Sequence, residues 1–166
     1  MQVTLHAPKN PFVDLEAFIK RLERPGNAEQ RKVFDAINLG FQSNFSAEGN
    51  VSGKWKPLAP RTIFQRRRDG FAGQHPILVQ TGSLRASFVR RGAPDHVEEF
   101  QLTAQGWRMV AGSRHKLAFV HEFGIDPGPP RIPARPVTPF TDGAKQRIIN
   151  TINYMIAQAE AATIGR

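Results

Sequence analysis

The sequence predicts an α+β fold, a small antiparallel β-sheet flanked by N-terminal helices and a long C-terminal helix. Three observations carry this expectation. Apolar residues recur at helical spacing towards both ends of the chain, at Val33, Phe34, Ile37, Phe41 and Phe45 and again at Ile148, Ile149, Ile152, Met155, Ile156 and Ala159. Between them, residues 96–103 and 106–111 alternate imperfectly between apolar and polar and are bounded by turn residues. The order helix, meander, helix segregates the two kinds of element instead of interleaving them, which is the α+β pattern. At 166 residues the chain fits a single domain.

Taken in order, Asn10-Pro11 interrupts any early element, and Asp14 caps a short helix with Leu15, Phe18, Ile19 and Leu22 on one face. Pro25-Gly26 ends it. Asn27, with Gln30 three residues on, opens a second helix in a capping-box-like arrangement. So short a connection makes the two helices antiparallel or sharply bent. Gly40 lowers the intrinsic stability of the second helix and fits a close approach by another element. Residues 10–46 thus form a helical N-terminal part.

Residues 47–85 form a basic loop region, with Gly49, Gly53, Pro57 and Pro60 marking an extended loop and residues 62–68 a short helix. Residues 78–88 read as a further short helix capped by Thr81 or Ser83. Residues 86–123 read as a β-meander with strands at 86–91, 96–103 and 106–111 and turns at Ala93-Pro94-Asp95 and Ala104-Gln105-Gly106. Its last piece, 117–123, is either a helix or a strand, because seven residues do not separate the two periods. Six prolines between positions 125 and 139 make that segment an extended arm. Thr141 or Asp142 then caps the C-terminal helix, 142–162.

Charge singles out one stretch. Lys54, Lys56, Arg61, Arg66, Arg67, Arg68 and Arg85 stand against Asp69 alone, so most of the formal net charge of +9 lies between Gly53 and Phe88. Lys54, Lys56, Arg61, Arg66, Arg67 and Arg68 are therefore a candidate basic patch for DNA or an acidic partner. A solvated face that keeps the protein soluble is the plain alternative. No helix-turn-helix, zinc finger or ribonucleoprotein motif accompanies the patch, so any nucleic-acid contact would be to the backbone and salt-dependent.

Catalysis finds little support. The chain has no cysteine, which removes disulfides and thiol chemistry and fits a reducing cytosol. No signal peptide and no apolar run of membrane-spanning length is visible, so neither secretion nor a membrane partner is expected. His115 and His121 are six apart, off the spacing that puts two ligands on one metal, and no HExxH, GxSxG or phosphate loop is present. No catalytic, metal or cofactor site is expected. His121 reads as a structural histidine, and Glu122 as an ion-pair or capping partner. The arm supplies the remaining candidates, Arg131, Ile132, Pro133, Arg135, Pro136 and Val137. Its arginines are suited to bidentate contacts and Ile132 and Val137 to apolar recesses on a neighbouring subunit.

Two blocks of residues resemble a known family. The first is Trp55-Lys56-Pro57-Leu58-Ala59-Pro60-Arg61-Thr62, then Arg67-Arg68, then Ile77-Leu78-Val79-Gln80-Thr81-Gly82-Ser83-Leu84-Arg85-Ala86-Ser87. The second is Ala118-Phe119-Val120-His121-Glu122-Phe123-Gly124 followed by Ile132-Pro133-Ala134-Arg135-Pro136, with Val137 where the pattern usually has Phe. In order and separation they are similar to the virion morphogenesis, or tail completion, family of Mu-like phages. The resemblance spans roughly residues 53–141. It implies a structural subunit of the virion, at the neck or upper tail, assembled in the host cytoplasm. The fold implied is like that of tail terminator and neck proteins. Copies of such a subunit would close a ring, commonly six-fold, against tail-tube and connector proteins, with packaged DNA in the lumen. The rival readings are a basic module that binds nucleic acid without sequence preference and a hydrolase centred on His121.

Overall fold

The computed structural model describes residues 2–6, 26–103, 106–126 and 131–164. In chain order the described elements are β1 (Gln2–His6), α1 (Asn27–Ala47), β2 (Gly49–Asn50), β3 (Gly53–Lys54), α2 (Pro60–Arg68), α3 (Ser83–Val89), β4 (His96–Thr103), β5 (Gly106–Ser113), α4 (Lys116–Phe123) and α5 (Asp142–Ile164). Strands pair as β1-β5-β4 in one antiparallel sheet, and β2 and β3 make a separate two-stranded ribbon. The α+β expectation holds. The helix expected from Asp14 lies outside the described residues.

Helix α1 is the centre of the core. Val33, Phe34, Ile37, Phe41 and Phe45 are all buried, as their spacing requires, and Asn44 is buried among them. The ring of Phe41 meets Phe88 of α3 at 5.1 Å and Phe140, just before α5, at 5.0 Å; Phe45 meets Trp55 edge-on at 5.7 Å. Gly40 has a direct packing reason, since a Cβ there would sit 2.9 Å from Cε1 of Phe140. The residue ahead of the helix is Gly26, with no side-chain cap; Asn27 is the first helical residue and does not cap it.

The sheet differs from the expected meander in two ways. Residues 86–91 do not form a strand: Leu84, Ser87 and Phe88 face the core as part of α3. The third strand is instead β1, which pairs with β5 so that Leu5 lies opposite Met109. Strands β4 and β5 pair as expected, with Phe100 opposite Met109 and Leu102 opposite Trp107. Trp107, Met109 and Ala111 alternate onto the core face. Ionic contacts join the sheet to α1. Arg91 bonds Glu98 at 2.7 Å and Asp35 at 3.1 Å, and Asn38 donates to Glu98 at 2.8 Å.

On α5, Ala144, Ile148 and Met155 are buried against α1 and Ile152 is half-buried, whereas Ile149, expected in the stripe, is exposed. Thr141 caps it by accepting from the Ala144 amide at 3.3 Å. The loop between α1 and α2 contains the β2–β3 ribbon, which the sequence reading left as irregular chain.

Candidate functional site

The described part of the proline segment is stitched to its own chain; residues 127–130 of the expected arm lie outside the described residues. Proline carries no amide hydrogen, so this stretch cannot join a sheet by its donors, and its carbonyls must find donors elsewhere. Those donors are side chains of the α1–β3 region. Asn44 donates to the Val137 and Pro139 carbonyls at 2.7 and 3.0 Å, Asn50 to Pro136 at 2.6 Å, and the indole of Trp55 to Pro136 at 3.0 Å. The segment's own amides are met from the other side. The Glu122 carboxylate accepts from the amides of Val137 at 2.8 Å and Thr138 at 3.3 Å, and from the Thr138 hydroxyl at 2.5 Å. The Arg135 amide donates to the His121 carbonyl, and Ile125 and Ile132 form a two-way antiparallel bridge.

This geometry corrects the arm expectation at Arg135 and Val137. Arg135 is 4% exposed, and its Nε and Nη2 donate to the carbonyls of Lys56 and Pro57 at 2.8 and 2.9 Å. Val137 is 1% exposed inside the core. Neither side chain is available to a neighbour. Ile132, Pro133 and Pro136 are half-buried, and Arg131 remains exposed, 3.8 Å from Asp126. Burial pushes the Arg135 guanidinium below its ordinary pKa. Among the described residues Glu122 pairs with no cation; it accepts from two backbone amides and the Thr138 hydroxyl.

The basic stretch divides. Lys54, Lys56, Arg61, Arg67 and Arg68 are exposed, whereas Arg66 is buried at 3% and donates to the carbonyls of Pro76 and Val79 at 3.1 and 3.3 Å. Arg66 therefore leaves the outward patch: three successive arginines point in three directions on a helix, and one of them points inward. By the same spacing Arg61, Phe64 and Arg68 share one face of α2, and Phe64 is 68% exposed there.

The motif residues between α2 and α4 have structural tasks. Gly82 takes a left-handed conformation (φ 83°) ahead of α3, and Thr81 accepts from the Ser83 amide at 3.4 Å. The buried Ser87 hydroxyl meets Ser113 at 2.7 Å, joining α3 to the end of β5. The His115 Nδ1 accepts from the Leu117 amide at 3.2 Å and so caps α4. On α4, residues four apart form rows, and three of them matter to the site. Ala118 and Glu122 face inward, while Phe119 and Phe123 form one flank and Leu117 and His121 the other. His121 is half-buried, and its pKa is lowered to about 4 by burial, with further contributions from Arg135 and His115. Its imidazole is neutral at neutral pH. Among the described residues no group of His, Asp and Glu is placed to hold a metal ion.

The sequence reading did not single out Phe119 and Phe123. They are 66% and 59% exposed and their rings are 4.8 Å apart; Leu117 on the other flank and Ile125 just past the helix are also exposed. Four large apolar residues within nine positions at the surface is the signal that reading passed over. Phe119 and Phe123, with rings in contact, make a contiguous apolar patch, which singly exposed residues do not.

No curated protein and no solved structure matches the chain. A family model described as the phage virion morphogenesis family matches residues 15–157, which takes in α1 through most of α5 and both motif blocks. On that match the chain belongs to the phage virion morphogenesis family.

Proposed function

We propose that this protein is a ring-forming subunit that completes the tail or joins it to the head, closing its ring through the Phe119–Phe123 flank of α4. The family supports a structural or assembly role in the virion. The observation that carries the finer reading is the aromatic pair, exposed on a chain whose net charge of +9 otherwise favours dispersal. A head-to-tail contact of this patch with a different surface of the next copy closes a ring where the rotation allows, and six copies is the expected number. Tail-tube and connector proteins are the expected neighbours. Of the predicted arm set Arg131 is the exposed residue and is the one left for a neighbour in this scheme. The test is light scattering across a concentration series with negative-stain microscopy of the same sample. Ring-shaped particles of uniform mass support the reading, and a monomer at every concentration, alone and with tail-tube protein, ends it.

A second reading keeps one specific observation, the exposed Arg61, Phe64 and Arg68 on one face of α2. Cations flanking an aromatic ring suit a nucleic-acid backbone. Retention on DNA at low salt, lost in Arg61→Glu/Arg68→Glu, would favour it; no retention by the wild type removes it.

A further inference from the structure

Between α2, the 76–84 segment and α4 lies an open cleft of about 310 Å³, with Leu58, Leu78, Leu84 and Leu117 in its walls. Its polar lining is engaged within the fold. The Arg66 guanidinium donates to the Pro76 and Val79 carbonyls, the Thr81 and Ser83 hydroxyls bond each other at 2.9 Å, and His121 is uncharged at neutral pH. A leucine-walled space of this kind takes apolar side chains. Its volume says how many. An apolar cavity of about 150 Å³ holds one benzene ring, so this cleft has room for two.

Two rings are what the same helix shows on its other side. Phe119 and Phe123 are 66% and 59% exposed, with centroids 4.8 Å apart. Leu117, in the cleft wall, and Phe119 stand two positions apart on α4, about 200° around its axis, so the cleft and the aromatic pair open in nearly opposite directions. A molecule cannot fill its own cleft with its own pair, and a two-fold dimer would need both on the one face it shares. Copies joined head to tail satisfy every pair and every cleft. Phe64 is as exposed, but Arg61 and Arg68 share its face and would lose their water in such a space. Lys116, a turn before Phe119, has a long stem that keeps its charge outside.

Area points the same way. A buried Phe covers roughly 150–250 Å², so the exposed parts of the two rings come to roughly 200–300 Å². With as much again from the cleft, one contact falls short of the roughly 1,200 Å² of a stable pair. A contact of that size persists where every copy makes two of them and the set closes, since linkage strengthens weak contacts by about 10²–10⁴.

We propose that the cleft between α2, residues 76–84 and α4 is the socket for Phe119 and Phe123 of the next copy of this chain. The inference rests on the assembly reading above and names the surface that the aromatic pair meets.

The test is light scattering on complementary variants, alone and mixed. Phe119→Glu/Phe123→Glu keeps the socket and loses the plug. Thr62→Trp fills the socket from an exposed position on α2, and Leu117→Glu charges it from an exposed position on α4; both keep the plug and should keep the wild-type melting temperature. Each variant alone should run as a monomer. The plug variant mixed with either socket variant should form a heterodimer and nothing larger, because the pair retains one working socket and one working plug. The mixture is followed to about a hundredfold above the concentration at which the wild type assembles, to offset the lost avidity. A mixture that stays monomeric overturns the proposal. Socket variants that assemble like the wild type sink the socket and leave the ring. A heterodimer in the mixture beside open-ended wild-type chains sinks the ring and leaves the socket.

Discussion

Glu122 and Thr138 are joined by two hydrogen bonds, from the threonine amide at 3.3 Å and its hydroxyl at 2.5 Å, and a third from the Val137 amide converges on the same carboxylate. Sixteen positions apart in sequence, they fasten α4 to the proline segment where that segment enters the core. What the two motif blocks share is this fastening. Trp55 and Lys56 of the first hold Pro136 and Arg135 of the second.

Glu122→Gln should therefore destabilise the protein. The new amide group turns a donor towards donors, and a buried group left unsatisfied costs about 1–3 kcal/mol. Thr138→Val should cost less, removing one donor while preserving shape. Urea midpoints measure both, and an unchanged midpoint for Glu122→Gln would contradict the fastening.

Arg135→Ala should weaken the folded monomer by about 2–3 kcal/mol, since both bonds to the Lys56 and Pro57 carbonyls are charge-assisted. Arg135→Lys should recover little, because an ammonium lacks the planar fork that spans two carbonyls. Loss of assembly with an undiminished melting temperature would instead return Arg135 to an intersubunit role.

Gly40→Ala tests the packing of α5's approach. Alanine gains up to about 1 kcal/mol of helix propensity, but its Cβ meets the Phe140 ring at 2.9 Å in a filled core. Overpacking of this kind costs about 1–3 kcal/mol, so the net change should be destabilising. Gly124→Ala should be worse. Its backbone has φ 75°, and the added Cβ would lie 2.7 Å from the Ile132 carbonyl oxygen, which is backbone and cannot swing aside.

Acid should act through His121. Its folded pKa, about 4, lies below the ordinary value of 6.5, so the unfolded chain binds the proton first. The stability that neutral His121 confers is complete above about pH 6.5 and is lost as pH falls towards 4. His121→Gln should flatten the pH dependence of the urea midpoint in that window; an equally steep decline in the variant would mean that other groups carry it.

Local pattern decided what the sequence revealed. The stripe on α1 was legible because a helix repeats every few residues and each position reports on its own neighbours. The same reasoning missed Ile149, because α5 covers less of the core than its apolar residues would allow. Residues 86–91 were read as a strand although Leu84, Ser87 and Phe88 already stood at helical intervals behind Thr81-Gly82-Ser83. Strand β1 was invisible for a different reason: its partner β5 lies about a hundred residues away, and five residues carry no period of their own. Arg66 and Arg135 failed in the same direction. An arginine's burial depends on carbonyls brought over from Pro76, Val79, Lys56 and Pro57, and no local count of charge records that. Asn44, set between Phe41 and Phe45 on an apolar face, was the available hint that α1 holds a carbonyl-rich segment.

The most direct test of the assembly account is the mass of Phe119→Glu/Phe123→Glu measured by size-exclusion chromatography with light scattering. Both side chains project from the surface, so the variant should fold with an unchanged melting temperature and run as a monomer under conditions where the wild type forms a ring. A double variant that still assembles to the wild-type mass would contradict the account.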